Sequence, residues 1–60
     1  MMKKVTIVFK DTDWLRAFTY VYEGPYIDYT DGIDTAYCFL DVEIIPAVEA
    51  AYYCTVTIDD

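Results

Sequence analysis

Eleven carboxylates and seven tyrosines are the side chains of this 60-residue chain with chemistry to offer. They crowd into Tyr20–Asp34, YVYEGPYIDYTDGID, which holds four of each and neither Lys nor Arg. Three kinds of chemistry could use them. A pair of carboxylates hydrolyses a glycosidic bond when a cleft holds the two a fixed distance apart around the sugar. Clustered oxygens hold a divalent cation. A fixed array of anions attracts a cationic partner.

The first two are poorly served. Sixty residues leave little room for a sugar cleft, and eleven acids generate accidental pairs everywhere. Asp28-x-x-Asp31-x-x-Asp34 has oxygen ligands at short spacing but lacks the Glu that closes a twelve-residue calcium loop, so only adventitious cation binding is expected. The sequence has no His, Ser, Asn or Gln. Without His there is no imidazole metal ligand or neutral-pH proton shuttle. Without Ser a Ser-His-Asp arrangement cannot be built. Cys38 and Cys54 without His make no zinc site, and their apolar neighbours suit small buried hydrophobes better than a redox pair. The expectation is a chain without catalytic residues, metal or cofactor.

The third use fits the charge. Lys3, Lys4, Lys10 and Arg16 are the only bases, and residues 17–60 carry nine acids and none, within a net charge of −7. Such a field repels phosphate and steers the chain toward cationic surfaces, which argues against direct binding of nucleic acid. Tyrosine suits an interface because it offers a rigid ring and a hydroxyl tip at low ordering cost. An arginine opposite can stack on the ring while pairing with a neighbouring carboxylate. The plain alternative is a solvated acidic surface over a tyrosine-filled core. Ordinary surfaces intersperse both signs, however, and a base-free run of 44 residues does not.

The elements that would position these groups are mostly strands. KVTIVFK (4–10) alternates, with Val5, Ile7 and Phe9 on one face and Lys4, Thr6, Val8 and Lys10 on the other. Residues 11–24 read two ways. Asp13 could cap a helix with Trp14, Leu15, Phe18, Val21 and Tyr22 as its apolar positions, ending at Gly24-Pro25. FTYVY, rich in β-branched and aromatic residues, favours a strand, and the strand is preferred. Tyr26–Thr30 predicts a short strand, and Asp31-Gly32 a type I′ hairpin turn. The return strand, 33–42, would turn Ala36, Cys38, Leu40 and Val42 inward and Thr35, Tyr37, Phe39 and Asp41 outward. EIIPAVEAAYY (43–53) changes to helical rhythm, with Pro46 in its first turn. CTVTI (54–58) alternates again.

The resulting expectation is a single domain over 1–60: α+β and mainly β, an antiparallel meander of four or five strands with one short helix. No stretch is long enough for a membrane span. MMKK runs straight into a strand pattern instead of a leader's apolar core, so a cytoplasmic location with reduced thiols is expected.

In size and charge the chain resembles the small acidic phage-encoded anti-defence proteins, anti-CRISPR proteins and other inhibitors of DNA-processing enzymes, several of which mimic nucleic acid. KKVTIVFKD with a later YTDG also looks like small phage β-meander proteins. The resemblance implies a viral inhibitor in the host cytoplasm. Its acidic face would occupy the basic groove of a host nucleic-acid-binding protein or CRISPR effector. Tyr26, Asp28, Tyr29, Asp31 and Asp34 are the residues expected to meet that partner, with Glu23, Asp41 and Glu43 in support. No membrane is involved. The rival expectation is a homo-oligomeric structural or interaction module joined through the tyrosine-rich face or an edge strand.

Overall fold

The computed structural model describes residues 1–22, 26–30 and 33–59, with the backbone alone at 29, 30 and 33. In chain order the elements are β1 (Met2–Phe9), α1 (Thr12–Val21), β2 (Tyr26–Thr30), β3 (Ile33–Asp41), a 3-10 turn (Val42–Ile44), α2 (Ile45–Tyr52) and β4 (Cys54–Ile58). Four strands form one antiparallel sheet in the order β2-β3-β1-β4. β1 lies in the interior, with Ile7 opposite Ala36 of β3 on one side and Val56 of β4 on the other. Each helix links two strands that flank a third, which is the split βαβ connectivity. The expected meander is therefore corrected. Only β2 and β3 are neighbours in both sequence and sheet, because the two helical crossovers deliver β1 to the middle.

The second correction is α1, where a strand was preferred. Asp11 starts the helix: its Oδ1 accepts from the Trp14 N–H at 3.2 Å and its carbonyl from Leu15 N–H at 3.3 Å. Asp13 adds a carboxylate to the first turn, where the helix dipole favours it. A strand would have sent Leu15 and Phe18 to opposite faces. The helical period puts both on one side, where each is fully buried. The strand preference of FTYVY reflects packing on a pleated surface more than the backbone itself, so tertiary burial overrides it.

α2 begins as expected with Pro46 in the first turn, after a 3-10 turn that Asp41 caps by accepting the Glu43 N–H at 3.1 Å. It ends at Tyr53, which is left-handed (φ 46°, ψ 63°) where a glycine would be the easy choice. Its ring lies 4.9 Å from that of Trp14, a contact that a glycine could not make.

Both helices cover the same face of the sheet. The core there is Val5, Ile7, Phe9, Ala36 and Leu40 from the strands, with Leu15 and Phe18 of α1 and Val48 of α2. Phe18 is its hub, with ring centroids 5.3 Å from Phe9, 4.6 Å from Tyr22 and 5.6 Å from Tyr52. No described helix is long and apolar enough to cross a membrane.

Candidate functional site

The other face of the sheet is open. Strand alternation puts on it the residues between the core positions, and the register arranges them in rows. Thr57, Thr6, Tyr37 and Tyr26 make one row, and Thr55, Val8, Thr35 and Asp28 the next. Phe39 stands opposite Lys4, and Asp41 opposite Met2. Asp59, just past β4, donates its N–H to the Lys4 carbonyl at 2.8 Å, and its carboxylate accepts from the Thr6 hydroxyl.

This face therefore places three rings among three carboxylates. Tyr26 is 69% exposed and Phe39 is 65% exposed, while Tyr37 is half-buried, its ring 5.9 Å from that of Tyr26. Asp28 lies one row from Tyr26, Asp41 two residues beyond Phe39 on β3, and Asp59 across Lys4 from Phe39. The rigid spacing comes from the strands: neighbours on one strand are about 6.6 Å apart and adjacent strands about 4.8 Å apart. The amino group of Met1 lies 2.9 Å from Asp41 Oδ1. That hydrogen bond, followed by the one from Glu43 N–H, holds the Asp41 carboxyl below its usual range.

The residues expected to meet a partner divide into groups. Tyr26 and Asp28 lie on the open face. Asp34 does not: it sits on the helix-covered face, 5% exposed, and its Oδ2 has no hydrogen-bond partner among the described residues. An ion shared by Asp28 and Asp34 would have to pass through the sheet. Asp41 and Glu43 lie at the far end of β3 from the hairpin, about 20 Å from the row of Asp28, so these two supporting acids do not share one cluster with Asp28. Tyr29 pairs with Asp34 in the β2–β3 ladder. Glu23 and Asp31 lie outside the described residues. Tyr37, Phe39 and Asp59 were not among the expected contacts, although the alternation of 35–41 already turned Tyr37 and Phe39 outward.

The covered face carries the thiols. Cys38 and Cys54 are both free and half-buried. Burial raises Cys38. Burial, and then the Glu49 carboxylate, push Cys54 up to about 11, while its Sγ donates to the Val48 carbonyl at 3.6 Å. The folded state thus favours the neutral thiol. Below pH 9 the two states hold the same proton; between about 9 and 11 the unfolded chain ionises first and stability falls. In a Cys38→Ala background, iodoacetamide is expected to modify Cys54 at pH 8 roughly ten-fold or more slowly than a free thiol, accelerating toward pH 11. Modification at the free-thiol rate would contradict this placement.

An open groove of about 500 Å³ runs beside the start of β4, lined by Glu49, Tyr53, Cys54 and Thr55 among others. Glu49 reaches from α2 to the sheet edge, where its Oε2 accepts the Val56 N–H at 3.0 Å. No protein-family model, curated protein or solved structure matches the chain.

Proposed function

We propose that this chain is a non-enzymatic interaction protein that docks its open sheet face on an Arg- and Lys-rich protein surface. One observation carries the reading. Tyr26, Tyr37 and Phe39 stand uncovered by either helix, among Asp28, Asp41 and Asp59. An incoming guanidinium can stack on a ring and pair with the carboxylate beside it, a combination that no lysine or apolar group matches. The remaining acids extend the negative field and speed encounter with a basic partner.

The partner class with a dense basic surface is a nucleic-acid-binding protein, such as a CRISPR effector, and occupation of its phosphate groove would exclude DNA. The carboxylates act here as counter-charges on an aromatic platform, not as a copy of a polynucleotide backbone; their spacing, from one row to about 20 Å, follows the strands.

The immobilised chain tests this in a bacterial lysate. Proteins captured at about 100 mM salt should be released near 500 mM and displaced by duplex DNA, because the same basic groove is contested. Capture indifferent to both salt and DNA sinks the reading.

A further inference from the structure

The edge of the sheet at β4 has a different chemistry from the open face. Tyr53, Asp59 and the residues between them alternate in the ladder with β1. The Lys10 N–H bonds the Tyr53 carbonyl at 3.1 Å and the Asp59 N–H bonds the Lys4 carbonyl at 2.8 Å. Residues 53, 55, 57 and 59 therefore turn their backbone groups toward β1, and 54, 56 and 58 turn theirs outward. Natural edge strands are usually guarded by charge, proline or a bulge. CTVTI has no charge and no proline, and its pairing with β1 runs without a bulge. Its guard is Glu49, which occupies the outward N–H of Val56.

We infer that β4 is a self-pairing edge. Two copies of the chain join β4 to β4 antiparallel about a two-fold axis at Val56, and Glu49 is the cap that must leave first. The register follows from the outward positions. Val56 meets Val56 of the second copy, and Cys54 meets its Ile58, so all three outward residues of each strand find partners in one isologous contact. On the covered side, half-buried Val56 and 40%-exposed Ile58 gain apolar neighbours continuous with the core. The side of α2 that carries Glu49 also carries Pro46 and Ala50, both exposed and uncharged, so two such helices can approach. The other edge is less suited, since β2 carries Asp28.

This inference stands apart from docking on a basic partner, and salt separates the two. Two copies of charge −7 repel, so self-association tightens as salt rises, whereas the basic partner is lost. Sedimentation equilibrium at about 50 and 500 mM salt should show more dimer at the higher concentration. Glu49→Ala frees the Val56 N–H in advance and should tighten the dimer roughly ten-fold. Val56→Pro deletes an outward donor without touching the ladder to β1 and should give a monomer throughout. If that variant fails to fold, Thr55→Lys with Thr57→Lys replaces it: 55 and 57 stand opposite each other only across the two-fold, and the like charges there should also give a monomer. Wild type and Glu49→Ala that both stay monomeric up to about 1 mM overturn the proposal. So does a dimer that survives both the proline and the lysine pair. A dimer of unchanged affinity in Glu49→Ala overturns the role of Glu49 as cap.

Discussion

Phe18→Ala is expected to leave the chain largely unfolded at 25 °C. Phe18 is fully buried and joins three elements, touching Phe9 of β1, Tyr52 of α2 and Tyr22 just beyond α1. Truncating a buried Phe to Ala costs about 3–5 kcal/mol, because the lost transfer energy is joined by the cavity left behind. A 60-residue domain has about 3–9 kcal/mol in total at ordinary stability per residue. Neither disulfide nor metal stands behind the core among the described residues. Far-UV circular dichroism and urea titration read the result. Tyr20→Ala is the matched control on the same helix: at 91% exposure it should change stability by less than about 0.5 kcal/mol. A Phe18→Ala chain that unfolds cooperatively with a loss under about 1 kcal/mol would mean that α1 is not seated on the sheet as described.

Tyr26→Ala combined with Phe39→Ala should abolish docking on the basic partner while the fold survives. Aromatic anchors at the centre of an interface each contribute about 2 kcal/mol or more when truncated, so losing two lowers affinity about a thousand-fold. Both rings are mostly exposed in the free chain, so the same change removes little from the core. Calorimetric titration of the captured partner measures the first effect and thermal melting the second. Lys4→Glu, opposite Phe39 on the same face, should move affinity the other way at low salt by adding to the negative field. Undiminished affinity in the double variant would exclude the open sheet face and leave the rest of the acidic surface as the contact.

Much of this was legible in strict alternation. Val5, Ile7 and Phe9 were separable from Lys4, Thr6 and Val8 because a period of two has one solution once a face is buried. The same held for Ala36, Cys38 and Leu40 against Tyr37 and Phe39, and the outer set became the open face. Strand order was not legible, because short-range pattern does not say whether a helix carries the chain past a strand or beside it. α1 was misjudged where local preference and helical period disagreed, and the signal that decides it is the Asp11 cap and the Leu15–Phe18 spacing. Asp34 was misplaced for another reason. A carboxylate in a polar run reads as exposed, but its parity on β3 groups it with Ala36 and Leu40, and parity prevailed.

The place of β1 between β3 and β4 bears on kinetics more than on stability. The strand that leaves the ribosome early has neighbours drawn from the second half of the chain, with Met2 opposite Asp41 and Val5 opposite Ile58. Its three fully buried side chains must wait for them, and the wait requires closing loops tens of residues long. Such a chain should fold more slowly than a helical bundle of its size, in the intermediate range of mixed α/β domains. During synthesis the strand that carries Val5, Ile7 and Phe9 is left without a mate, which makes that interval the time when a chaperone has most to do.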